Sequence, residues 1–167
     1  MGPSAVTAIA RRPDRLAELA DRGAHTIICD VVDAEKLEQA INEAVDCSGK
    51  LTALVYCAVS SVSALRPGPG IVAYSVAKAG LNALITGMAK ELGLRRAVGV
   101  APGWIDTEMN QAFKHVYSED FQVALDQRSP AGIATVDSVV NAIEFLLSDK
   151  ACNIPGEMLT MDGGAIL

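Results

Sequence analysis

The chain has 167 residues, 50% hydrophobic and 20% charged, enough for one domain with a buried core; two domains are not expected, and no internal repeat or low-complexity tract is visible. A net charge of -6 at pH 7 excludes the basic surface that nucleic-acid phosphates require. No apolar run reaches the roughly eighteen residues of a membrane helix, and MGPSAVTAIARR lacks the leading charge and length of a signal peptide, so a cytoplasmic protein with no membrane partner is expected.

Ala5 to Ala10, AVTAIA, is a short apolar run with the β-branched content of a buried strand. Pro13 suits the first turn of a helix, PDRLAELADR, which Gly23 closes. HTIICD is a second strand, with Asp30 at the carboxyl end where parallel sheets bind ligands. Asp33 opens a helix whose Leu37, Ala40, Ile41 and Ala44 form one apolar stripe. After the CSGK turn, LTALVYCAV predicts a third, fully buried strand running into Ser60 and Ser61.

A helix from near Ala73 is expected to set Ala77, Leu81, Leu84, Met88 and Leu92 toward the core, with Gly80 permitting close approach. AVGVA is the next strand, broken by Pro102 and Gly103. Thr107 to Gln127 is polar and predicts a pair of short helices forming a lid or a substrate-binding segment. Thr135 caps TVDSVVNAIEFLLSD, and EMLTM is the final strand, ended by Gly163 and Gly164. Alternation of this kind predicts an α/β structure, a mostly parallel sheet of about five or six strands covered by helices, in a single domain over residues 1–167.

Cys29, Cys47, Cys57 and Cys152 are far apart and form no C-x-x-C pair, so neither a zinc site nor a disulfide framework is expected. His25 and His115 have no carboxylate or cysteine at ligand spacing in the sequence, and no metal site is expected. Trp104, after the Pro-Gly break, reads as a loop aromatic packed on the core or lining a pocket.

The chemistry concentrates in SVSALRPGPGIVAYSVAK, Ser61 to Lys78. Tyr74 and Lys78 are four residues apart at a helix start and share a face. An ammonium held beside a phenol favours the phenolate, and such a phenol gives or takes a proton. Ser61 stands thirteen residues before Tyr74, across a turn-rich loop that can fold it back over the phenol. An exposed Tyr and Lys on a helix face is the bland alternative for the pair alone.

A serine thirteen residues before the tyrosine, then AYSVAKAGL, APGWIDTEM and the tail GEMLTMDGG, in that order over most of the chain, resemble the short-chain dehydrogenase/reductase family. The resemblance implies a reduced Rossmann-like three-layer fold. It implies catalytic roles for Tyr74 as general acid/base, for Lys78 as the group that tunes it and binds the nicotinamide ribose, and for Ser61 as a hydrogen bond to the substrate oxygen. It places Pro102, Gly103, Ile105 and Thr107 at the nicotinamide carboxamide and Asp30 at the adenine. Arg11 and Arg12, after what resembles the family's second strand, suit a 2'-phosphate, so NADP is favoured over NAD. Small-molecule carbonyls or alcohols are the implied substrates. Family members commonly pair through the tyrosine-bearing helix, which implies a homo-oligomer.

The sequence also departs from the family pattern. It starts at what resembles the second strand and contains no T-G-x-x-x-G-x-G phosphate loop, since PGPG at Pro67 to Gly70 lacks that spacing. The N-N-A-G segment and the following helix, which carries the asparagine often counted as a fourth catalytic residue, have no counterpart between LTALVYCA and VSSVSA. Two readings stand side by side: an NADP(H)-dependent oxidoreductase interconverting a carbonyl and an alcohol, and an inactive pseudoenzyme or fold remnant that binds a partner or small ligand.

Overall fold

The structure, a computed structural model, describes residues 6–49, 52–56, 59–93, 95–107 and 119–167. The chain divides into two compact units, residues 1–55 and 56–167.

In the first unit, strand β1 (Thr7–Ala10) pairs in parallel with β2 (His25–Ile28), Thr7 facing His25 and Ala10 facing Ile28. Helix α1 (Pro13–Ala20) connects them. Proline fits its first position because the missing N–H would have no intrahelical partner there. Leu16 is the residue that α1 buries, and complete burial of a leucine contributes about 1.5–3 kcal/mol. Gly23, at φ +89°, closes the turn in a conformation that a side chain would strain. Helix α2 (Ala34–Ser48) starts at Asp33, whose carboxylate accepts from the Lys36 N–H. The expected stripe holds, with Ala40 and Ala44 buried and Leu37 and Ile41 half-buried. The Lys36 ammonium, 2.9 Å from Asp33, holds that carboxyl below its ordinary value.

The expected third strand is corrected. Over residues 52–56 no strand forms, and Leu54, Val55 and Tyr56 are exposed, at 65%, 48% and 60%. Cys57 and Ala58 lie outside the described residues. An apolar run becomes a buried strand only where neighbours satisfy its backbone and cover its side chains, and here burial begins at Val59, where the Ser60 N–H donates to the Val100 carbonyl.

In the second unit, helix α3 (Val72–Glu91) is followed by strand β3 (Gly99–Pro102) and a two-residue strand β4 (Ile105–Asp106). Helix α4 (Glu119–Arg128) covers part of the segment expected to hold two short helices; residues 108–118 lie outside the described residues. Strand β5 (Ala134–Thr135) leads into helix α5 (Val136–Leu147), and β6 (Met158–Met161) ends the fold. Thr135 caps α5 as expected, with Ser138 closing the reciprocal half of a capping box. At the other end, the Arg96 guanidinium donates to the carbonyls of Leu146, Leu147 and Ser148, satisfying acceptors that the helix leaves open.

Strands β3 and β6 pair in parallel, as do β4 and β5. The described residues give six strands joined as three parallel pairs, where one sheet of about five or six was expected; four of the five runs read as strands form, and β4 and β5 are additional. Val100, Val139 and Leu146 centre the core of this unit, with Val59, Ile143, Leu159 and Met161 packed around them.

Helix α3 faces differently from its expected stripe. Ser75 is buried and Lys78, Leu81, Asn82, Ile85 and Met88 are half-buried, whereas Ala77 and Leu84 are exposed. The helix is apolar on more than one side, so hydrophobic spacing alone does not select the inward face. Gly80 meets no neighbour that a methyl group there would touch, so no close approach depends on it among the described residues.

Candidate active site

The site grows from the short segment Val59 to Ser61, which lies between β3 and α3. The Ser60 N–H donates to the Val100 carbonyl at 3.2 Å, and Lys78 Nζ donates to the Val59 carbonyl at 2.5 Å. Ser61, buried, caps a 3-10 turn (Val62–Ala64), its hydroxyl accepting from the Ser63 N–H at 3.2 Å. A hydroxyl that accepts this bond keeps its own proton for another acceptor. The turn packs against α3.

Tyr74 sits in the first turn of α3, 48% exposed, with Lys78 one turn further on. The lysine nitrogen lies 5.4 Å from the centroid of the tyrosine ring, within the range of a cation–π contact. One of its three donors is committed to the Val59 carbonyl. Buried beside Tyr74, the Ser75 hydroxyl has no hydrogen-bond partner among the described residues.

Pro102, Gly103, Ile105 and Thr107 follow in the same unit, at the carboxyl end of β3 and through β4. The absence of a side chain at Gly103 is required by packing. A Cβ there would stand 2.8 Å from Asp162 Cβ, and the Gly103 N–H donates to the Met161 carbonyl. Asp162 in turn accepts from the Gly164 and Ile166 N–H groups, both at 2.9 Å.

In the first unit, Arg11 and Asp30 come together at the carboxyl ends of β1 and β2, 3.7 Å apart and both open to solvent. Arg12 precedes α1 in extended conformation and makes no side-chain cap. His25, which has no ligand-spaced neighbour in sequence, meets Glu43 at 3.1 Å and Cys47 at 3.8 Å across the fold. Among the described residues no group of three His, Cys, Asp or Glu side chains is arranged to hold a metal ion. His115 lies outside the described residues, and Trp104 is half-buried.

Ser60 and Asn82 are the polar residues that sequence reasoning missed. Buried Ser60 reaches Asn82 Oδ1 at 2.6 Å and the Lys78 carbonyl at 3.2 Å. The usable signal was the Ser60-Ser61 doublet set against an asparagine four residues after Lys78, on the same helix face.

The fold is that of short-chain dehydrogenases. A short-chain type dehydrogenase/reductase from Mycobacterium ulcerans superposes with a TM-score of 0.87 at 22% identity, over 96% of this chain and 80% of that one. A gluconate 5-dehydrogenase from Burkholderia cenocepacia, solved with NADP and tartrate, gives 0.81 at 23% identity, over 96% of this chain and 85% of that one. These likenesses show a Rossmann-like α/β fold with parallel strands. In sequence, the 3-oxoacyl-(acyl-carrier-protein) reductase FabG of Aquifex aeolicus is 36% identical over 109 residues, 64% of this chain and 42% of that protein. The Escherichia coli reductase of the same name is 35% identical over 109 residues, 64% of this chain and 43% of its own length. The chain thus spans less than half the length of these curated relatives. Residues 56–165 match the family model described as Enoyl-(Acyl carrier protein) reductase, and the chain belongs to this family of short-chain dehydrogenases and reductases. No helix among the described residues is long and apolar enough to cross a membrane.

Proposed function

We propose that the chain is an NADP(H)-dependent oxidoreductase that interconverts a small carbonyl and its alcohol. The observation that carries this reading is the Lys78 ammonium, fixed between the Tyr74 ring and the Val59 carbonyl. In the reducing direction Tyr74 gives its phenolic proton to the carbonyl oxygen, and the Ser61 hydroxyl donates a hydrogen bond to that oxygen as negative charge grows on it. The Lys78 charge stabilises the tyrosinate left behind. In the oxidising direction the same phenolate takes the alcohol proton.

A nicotinamide cofactor, when bound, would supply or accept the hydride. Arg11, 73% exposed, offers a guanidinium fork to a 2'-phosphate, with Arg12 beside it in sequence, and Asp30 meets the adenine. Lys78 has donors left for the ribose hydroxyls, and Pro102, Gly103, Ile105 and Thr107 hold the carboxamide end. The relatives' printed activity supports a 3-ketoacyl thioester as the first substrate to assay.

Calorimetric titration with NADPH and NADH tests this reading. The expected result is binding that prefers NADPH over NADH. Absence of binding at millimolar NADPH contradicts the oxidoreductase reading, and tight binding of NADH contradicts the assignment of the arginines.

Self-association belongs to the same proposal. Val72, Val76 and Leu84 lie exposed on α3, apolar side chains that a second copy of the chain could cover. Sedimentation at micromolar concentration is expected to show a dimer or larger; a monodisperse monomer contradicts it.

A further inference from the structure

We propose that Ser60 and Asn82 act together as positioning residues, holding the backbone of Val59 to Ser61 against α3 so that the Val59 carbonyl fixes the Lys78 ammonium. The inference deepens the proposed function, because Lys78 belongs to that site, but it rests on contacts of its own.

Three bonds meet at Ser60. Its N–H is tied to Val100 on β3, its hydroxyl lies 2.6 Å from Asn82 Oδ1, and the same hydroxyl lies 3.2 Å from the backbone carbonyl of Lys78. One residue earlier, the Val59 carbonyl accepts from Lys78 Nζ. Lys78 is therefore held at both ends by adjacent residues of one segment, its main chain through Ser60 and its side chain through Val59.

A serine hydroxyl has a single proton, so it cannot donate fully to both acceptors. With the Asn82 amide turned to present its nitrogen, Asn82 donates to Ser60 and the Ser60 proton goes to the Lys78 carbonyl. In either amide orientation Ser60 and Asn82 remain bonded. Ser60 is 6% exposed, so water has little access to replace a lost partner. Asn82 stands four residues beyond Lys78, which sets the clamp on the same face of α3 as the amine. The small loop Ser61 to Ala64 continues directly from this anchor, so the same contacts set where the Ser61 hydroxyl stands.

The test reads the amine directly, and so it gives an answer whether or not the chain reduces a carbonyl. The full chain is pulsed with acetic anhydride and the acetylation rate of each lysine is followed by mass spectrometry, with Lys36, Lys90 and Lys150 as internal references. In Ser60→Ala, and separately in Asn82→Leu, the Lys78 rate relative to the references is expected to rise about five- to tenfold, the release of one buried hydrogen bond. Ser60→Thr is expected to restore the original rate. The double variant is expected to match either single one, because the two side chains act as one unit. An unchanged Lys78 rate, an equal rise at every lysine, no rescue by threonine, or additive effects in the double variant would each overturn the proposal. Either single variant that folds is sufficient for the reading.

Discussion

Tyr74→Phe is expected to lower NADPH-dependent carbonyl reduction by about a hundredfold to ten-thousandfold, the range of a lost general acid. The change removes one oxygen atom and keeps the ring, so the contact with Lys78 and the packing of the first turn of α3 are retained. Substrate affinity should therefore change little while kcat falls. Ser61→Ala and Lys78→Ala are expected to reduce turnover severely without abolishing it, since in the proposed mechanism neither supplies the proton. Unchanged turnover in Tyr74→Phe, measured under saturating cofactor, refutes the role given to the phenol.

Gly163→Ala should produce the largest loss of stability of the glycine-to-alanine changes in the described residues. Gly163 has φ +65°, a conformation that costs a side chain about 1–3 kcal/mol. A Cβ there would also stand 2.1 Å from the Gly132 carbonyl oxygen and 3.2 Å from Ser129 Cβ. The neighbouring backbone is not free to yield, because the Gly163 carbonyl accepts from the Ala131 N–H and Asp162 pins the turn that follows. Strain and displacement together are expected to cost about 2–4 kcal/mol, a fall in Tm of roughly 5–15 °C. Gly87→Ala is the control: no neighbour lies within 4 Å of a Cβ there, and alanine favours the helix by about 0.5–1 kcal/mol. Thermal melts of the two variants should move in opposite directions, and a Gly163→Ala melt close to that of the parent chain contradicts the packing argument.

Much of the fold was legible because its signals are local. Proline at the first position of α1, Asp33 and Thr135 as helix caps, and the glycines that end β6 each act within a few residues of themselves. Strands β4 and β5 were not legible, since two residues carry no period. Residues 52–56 misled because an apolar run reports its own hydrophobicity and not the neighbours that would cover it. The inward face of α3 depends on what β3 and the segment at Val59 present to it, which no helical spacing contains. In the candidate site, Tyr74 and Lys78 were legible from an interval of four. Ser60 and Asn82 left only a serine doublet and an asparagine one turn beyond Lys78 as a signal, and their contact, across 22 positions, is set by the fold. The same holds for Arg96, whose carbonyl partners begin 50 residues downstream.

The most direct measurement of the proposed chemistry uses NADPH deuterated at the transferable position of the nicotinamide, with a short 3-ketoacyl thioester and the parent chain beside Tyr74→Phe. Hydride transfer predicts that the alcohol made by either chain carries deuterium on its carbinol carbon, and that the variant forms it about a hundredfold to ten-thousandfold more slowly. A product without label at saturating cofactor, or equal rates of labelled-product formation by both chains, would contradict the assignment of a carbonyl reductase working through Tyr74.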